Sequence, residues 1–98
     1  MRLAQVIGRT VHTIQDPSLA GGRFLIVSPL DAAQLHDCCH RAQPISAQSN
    51  FIAYDNLGAG QGDIVGIVEG AEATSPFPNP IPIDALVTAV FDQVHYQP

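Results

Sequence analysis

Five apolar stretches rich in valine, isoleucine and aromatic residues alternate along the chain with stretches of turn-forming residues. Such side chains fit the pleated surface of a sheet, whereas glycine, proline and aspartate interrupt it. The strands that this pattern predicts are residues 2–14, 23–28, 50–54, 64–68 and 87–96. Gly8 lies inside the first of them and predicts a β-bulge or a barrel bend. We therefore predict a mainly β fold, a small five-stranded β-barrel.

The segments between the strands predict turns and loops. Residues 16–22 are dense in turn formers, and Pro29 ends the second strand because proline lacks the N–H group that a sheet ladder needs. Residues 32–48 hold few large apolar side chains and predict a long loop with room for a helical turn. Residues 70–74 predict a single helical turn. Residues 75–82 contain four prolines, which predict a stiff, extended surface connector.

The last apolar stretch carries two conflicting signals. Its large side chains recur at helical spacing, whereas its valines and aromatic residues favour a strand. The residues with helical spacing are Ile83, Leu86, Val87, Val90, Phe91 and Val94. We predict a helical turn at residues 84–86 and a closing strand at residues 87–96.

A glycine-rich loop, residues 54–63, separates the third and fourth strands, with Gly58, Gly60 and Gly62 at alternate positions. Glycine adopts positive φ angles and lets another backbone come close, so we predict that this loop is the tip of a β-hairpin. A phosphate-binding loop is the alternative. Such a loop opens a helix and commonly supplies a lysine, whereas here a strand pattern follows and the chain has no lysine.

Length and composition limit the functions that the chain can have. The 98 residues predict a single domain, residues 1–98, with a small core. Hydrophobic residues make up 46% and charged residues only 13%, which suggests that subunit contacts bury additional surface.

The net charge of −5 opposes binding to a nucleic-acid backbone or to an anionic membrane. Neither a secretory signal nor a membrane-spanning run is legible, so we expect a cytoplasmic protein without nucleic-acid or membrane partners.

Candidate chemistry is confined to one cluster, His36-Asp37-Cys38-Cys39-His40. Adjacent ligands do not readily converge on one ion, because zinc ligands are usually separated by two to five residues. We therefore expect no bound metal, no other cofactor and no catalytic residue. Asp55 and Asp63 flank the glycine loop and could face each other across the hairpin, although aspartates at strand ends more often cap turns.

Six short motifs follow one another in order along nearly the whole chain. They are MRLAQVIG at 1–8, DPSLAG at 16–21, VSPLD at 27–31, AYDNLGAGQGD at 53–63, VEGAEA at 68–73 and PIDA at 82–85. In this series the sequence resembles the EutN/CcmL family of bacterial microcompartment vertex proteins. The loop around Cys38 and Cys39 and the proline-rich segment have no counterpart in the resemblance.

The resemblance implies an oligonucleotide-binding-like barrel without catalytic activity. It further implies a homopentamer that caps the vertices of a polyhedral shell and meets hexameric shell proteins. It places Gly58, Ala59, Gly60, Gln61 and Gly62 toward the five-fold axis, and we expect this loop to lie outside the barrel core. Five copies meeting at an axis need residues without bulk.

A monomeric barrel that binds a small ligand or single-stranded nucleic acid is the alternative function. Proteins that bind single strands combine a basic groove with exposed aromatic side chains. This chain has four basic residues and no tryptophan, and its six aromatic residues lie mostly in predicted strands.

Overall fold

Five strands form a closed barrel in the computed structural model, which describes residues 1–35, 38, 43–45, 49–79 and 81–96. The strands are β1 (Arg2–Thr10), β2 (Arg23–Pro29), β3 (Phe51–Asp55), β4 (Ile64–Glu69) and β5 (Ala85–Phe91). Three short helical elements connect them: a 3-10 turn at Pro17–Leu19, helix α1 at Ala32–Leu35 and a second 3-10 turn at Gly70–Thr74. The predicted mainly β barrel is confirmed, as are the helical turn at residues 70–74 and the turn within residues 32–48.

The strand order around the barrel is β1-β2-β3-β5-β4, which shows that the predicted hairpin is wrong. β3 pairs with β2 on one side and, in parallel, with β5 on the other, whereas β4 pairs with β1 and β5. Because β5 lies between β3 and β4, the glycine loop crosses the end of the barrel. Its last residues join β1, where Gly62 N donates to Val6 O at 2.8 Å and Val6 N donates to Asp63 O at 2.9 Å.

β1 bends at the predicted place and ends earlier than predicted. Its pairing with β2 shifts register between Val6 and Gly8, which confirms the bulge. The last pair is Thr10↔Phe24, and Arg23, the first residue of β2, pairs with Asp55 of β3. Residues 11–14, predicted as strand, therefore leave the barrel.

The helical turn predicted at residues 84–86 is wrong. Leu86 already belongs to β5, where it pairs with Tyr54 of β3 and Val68 of β4. Two neighbouring strands therefore override the helical spacing of the apolar residues. β5 ends at Phe91, so residues 92–96 are not strand as predicted.

The core has two parts. The larger cluster fills the barrel with small and branched side chains: Ala4, Val6, Leu25, Val27, Ala53, Ala59, Val65, Ile67, Ala85 and Val87. The second cluster centres on Leu19, Tyr54, Ala73 and Leu86. Phe77, Ile81 and Ile83 pack partly buried against that second cluster, so the proline-rich segment is more than the surface connector predicted.

Tyr54 organises the second cluster. Its hydroxyl donates to Leu19 O at 3.2 Å, and its ring makes edge contacts with Phe24 and Phe77. Gly22 lies directly beside this ring, since a Cβ there would be 2.1 Å from the ring carbon Cζ. A side chain at position 22 would therefore displace the aromatic contacts.

Two buried glutamine side chains hold residues 43 and 44, between α1 and β3, against the barrel. Asp31 Oδ1 accepts from Gln34 N at 3.0 Å and Gln34 Oε1 accepts from Asp31 N at 3.1 Å, a reciprocal cap at the start of α1. The Gln34 amide nitrogen also donates to Pro44 O at 2.6 Å. Gln5 of β1 exchanges two hydrogen bonds with the backbone of Gln43, at 3.1 and 2.9 Å.

No helix in the described ranges is long and apolar enough to cross a membrane.

Candidate functional site

The glycine loop is built around the carboxylate of Asp55, the last residue of β3. This carboxylate is buried, with its side chain 0% exposed. It accepts hydrogen bonds from three successive backbone N–H groups, those of Leu57 at 2.9 Å, Gly58 at 3.2 Å and Ala59 at 2.9 Å. A buried charge is tolerated only where such donors replace water. Asp55 therefore fixes the course of the loop.

Arg23, the first residue of β2, completes this arrangement. Its guanidinium Nη2 donates to Ala59 O at 2.7 Å and lies 3.5 Å from Asp55 Oδ2. Arg23 thus bridges the β2 end, the β3 end and the middle of the loop.

Ala59 lies inside the barrel, contrary to the expectation that the loop stays outside the core. It is 1% exposed and belongs to the larger core cluster. Because the loop crosses the barrel end, its central methyl group turns inward and closes that end. The loop is therefore part of the folded core as well as of the surface.

The three glycines of the loop occupy their positions for different physical reasons. Gly58 and Gly62 have φ angles of 94° and 89°, which side chains adopt only with strain. Gly60 does not have a positive φ, and a Cβ there would meet only Asp63 Oδ2, at 3.8 Å. Asp63 accepts from Gly60 N at 2.7 Å. Within the subunit, neither backbone conformation nor space requires glycine at position 60.

Alanine substitutions should separate these roles. Gly58→Ala is expected to lower the free energy of unfolding by about 1–2 kcal/mol, the cost of a side chain in the left-handed region. Gly60→Ala is expected to change it by less than about 0.5 kcal/mol, as at an unconstrained position. Denaturant unfolding of both variants at one subunit concentration checks this. Equal losses for the two would contradict the assignment.

The loop is not suited to hold a phosphate group. The N–H groups that a phosphate cradle would offer already donate to carboxylates, those of residues 57–59 to Asp55 and that of Gly60 to Asp63. A phosphate would also meet the negative charge of both aspartates. Asp55 and Asp63 do not face each other across a hairpin. Each caps its own part of the loop.

Two clefts flank the loop. One, of about 240 Å³, lies against the bulge of β1 and is lined by Arg9, Arg23, Gly60 and Gln61 among others. The other, of about 300 Å³, is lined mainly by apolar side chains, Leu57, Pro76, Phe77, Leu86 and Val87 among them. The tip of the loop thus separates a basic side from an apolar side.

The cysteine and histidine cluster lies mostly outside the described residues, which include only Cys38 of the five. Cys38 is buried, with its Sγ 3.7 Å from Leu35 O. Within the described ranges no group of three or more histidine, cysteine, aspartate or glutamate side chains is placed to hold a metal ion.

Sequence reasoning missed Arg23 and the inward position of Ala59. The pattern Asp-Asn-Leu-Gly directly after a strand is a signal for Asp55, since aspartate at that place often caps the following turn. No local signal marks Arg23, because it approaches the loop only through the pairing of β2 with β3.

Comparison with known proteins identifies a family that matches most of the chain. The sequence profile of the family described as ethanolamine utilisation protein EutN/carboxysome (EutN_CcmL) matches residues 1–92. The carboxysome shell vertex protein CcmL of Synechococcus elongatus is 35% identical over 99% of this chain and 89% of its own length. The microcompartment shell vertex protein PduN of Salmonella typhimurium is 36% identical over 94% of this chain and 96% of its own.

Solved structures share the fold over nearly the whole chain. The pentameric microcompartment shell protein GrpN of Rhodospirillum rubrum superposes with a TM-score of 0.77 at 31% identity, covering 99% of this chain and 100% of that one. EutN of Escherichia coli gives a TM-score of 0.76 at 29% identity, with 98% and 89% covered.

Proposed function

The chain belongs to the EutN/CcmL family, and from that premise we propose that it is a structural shell protein of a bacterial microcompartment. Five copies form a ring that caps a vertex of the polyhedral shell. The names of the relatives as shell vertex proteins and of GrpN as a pentamer support this function. A closed shell needs five-fold corners, because a flat layer of six-fold units does not curve into a polyhedron.

Gly60 is the residue that most directly supports the proposed ring. Its backbone and its surroundings within the subunit allow a side chain, yet the chain has glycine there. Crowding by neighbouring copies explains the absence of bulk, so we place Gly58, Ala59, Gly60, Gln61 and Gly62 next to the five-fold axis. The inward methyl group of Ala59 and the Asp55 carboxylate hold this tip in a fixed position for five-fold contact.

The proposed partners are four further copies of the chain and the hexameric proteins that form the flat faces of a shell. Few charges on the surface reduce repulsion between copies, with charged residues at 13% of the chain. We propose no catalytic role and no cofactor. The alternative of a monomeric barrel that binds single-stranded nucleic acid is disfavoured by the net charge of −5 and by the burial of Tyr54, one of six aromatic residues.

Native mass spectrometry tests the ring. The unmodified chain is expected at five times its subunit mass, and Gly60→Phe is expected at lower mass with far-UV circular dichroism unchanged. The reason is that the phenyl group meets neighbouring copies and not the core of its own subunit. Ala71→Phe, with the same bulk at an exposed position outside the loop, should remain a pentamer.

Two results would count against these proposals, and they differ. A monomer or dimer of the unmodified chain over a range of salt concentrations would contradict the ring itself. A pentamer of Gly60→Phe would leave the ring standing and contradict the position of the loop at the axis.

A further inference from the structure

A short arm with uncovered apolar side chains follows β1. Residues 11–14 leave the barrel, and Val11 and Ile14 are 85% and 91% exposed. The arm nevertheless has a defined course, because the His12 ring stacks on Phe24 at 4.4 Å and its Nε2 lies 3.0 Å from Thr10 Oγ1. His12 thus anchors the start of the arm, while the branched side chains of Val11 and Ile14 face solvent, where they gain nothing from burial within their own subunit.

The apolar cleft beside the glycine loop, which we call the groove, is apolar like the side chains of the arm. Leu57 stands at its edge with 54% exposure, and Phe77, Leu86 and Val87 line it. Its volume of about 300 Å³ is at the lower limit of ligand pockets, so it suits a few side chains better than a cofactor. No Asp, Glu, Lys or Arg is among the residues that line it.

The arm and the groove adjoin different parts of the glycine loop. Leu57 lines the groove, and Gly60, three residues later, lines the basic cleft together with Arg9 and Arg23. The same two arginines line a further cleft with Val11 and His12. The groove therefore adjoins the start of the loop, whereas the basic cleft lies between the loop tip and the residues of the arm.

We propose that the arm of one subunit seats in the groove of the next copy around the ring. A ring closed by rotation needs a head-to-tail contact, in which two different surfaces of the same chain are complementary. This chain carries an apolar projection and an apolar recess on the two flanks of the segment placed at the axis. Burial of Val11, Ile14 and Leu57 between copies removes apolar surface from water, the main driving force of association. The inference rests on the proposed ring and adds the residues that join its members.

Single substitutions on each flank test the contact. Ile14→Asp and Leu57→Asp each place a charge in the proposed contact, at positions so exposed that the subunit itself should fold unchanged. Each is expected to raise the subunit concentration needed for half-assembly by about tenfold or more, because every interface of the ring carries the substitution. Ile45→Asp is the matched control. Ile45 is 63% exposed but lines neither the groove nor the clefts around the arm, so this variant should remain a pentamer.

Cross-linking gives a second readout that does not depend on loss of assembly. A variant with Ile14→Cys and Leu57→Cys, treated with a short bismaleimide, should give a ladder of two to five linked subunits on a denaturing gel. The single variants Ile14→Cys and Leu57→Cys, which keep the natural Cys38 and Cys39, should give no ladder.

The outcomes separate this inference from the proposed function. If the unmodified chain forms no pentamer, both fail. If it does, then pentamers of Ile14→Asp and Leu57→Asp at unchanged concentration overturn the arm and groove contact alone. Equal loss of assembly in Ile45→Asp, or equal ladders from the single cysteine variants, also overturns it.

Discussion

Replacing Asp55 with alanine is expected to lower the free energy of unfolding by about 3–5 kcal/mol, a large share of the stability of a small domain. The carboxylate accepts three loop N–H groups at 2.9–3.2 Å and lies 3.5 Å from Arg23. Without it, these donors lose their acceptor, the buried N–H of Ala59 among them, and Ala59 loses the support that turns it into the core. Urea unfolding at a fixed subunit concentration measures the loss.

Two variants serve as controls for Asp55→Ala. Asp63→Ala removes a carboxylate from the same loop that accepts from one loop N–H group, that of Gly60, and should cost only about 1 kcal/mol. Asp55→Asn keeps an acceptor oxygen and should fall between the two. A loss for Asp55→Ala no larger than for Asp63→Ala would show that the loop does not depend on the buried carboxylate.

Shell closure is the second large effect that we expect. Co-expression of the chain with hexameric shell proteins, the partners that we propose for it, should give closed polyhedral particles. Leaving the chain out should give open or elongated particles, because six-fold units alone lack corners. Electron microscopy and protease access to an encapsulated reporter protein measure closure.

Gly60→Phe is the matched control for shell closure. It should supply a folded subunit that does not form the ring, so the particles should stay open even though the chain is present. Particles that are equally closed without the chain would contradict the vertex function. Closed particles with a Gly60→Phe chain that remains monomeric would show that closure does not require the ring.

The strands themselves could be predicted from the sequence. Val, Ile, Phe and Tyr in runs between turn formers located β2, β3 and β4 to within one residue at each end, and Gly8 located the bulge of β1. These features depend on local backbone preference and on the spacing of apolar side chains, both of which are visible in the sequence. The ordered motifs likewise indicated the family.

The sequence also located the loop that became the candidate site. Three alternating glycines after a strand mark a tight path of the backbone, and aspartates on both sides mark caps for it. The sequence does not show that these glycines have different roles. Gly58 and Gly62 are needed for their positive φ angles, whereas Gly60 is not.

How these pieces join depends on the three-dimensional packing of the chain. The insertion of β5 between β3 and β4 turned a predicted hairpin into a crossing loop, and the same pairing made Leu86 part of a strand instead of a helical turn. β1 ended at Thr10, where its pairing with β2 stops, which left residues 11–14 as an arm. Each of these outcomes depends on contacts between residues distant in sequence. The energies of such contacts cannot be read from a local sequence pattern. The inward methyl group of Ala59 and the bridge from Arg23 have the same origin, since both exist only after the barrel has closed.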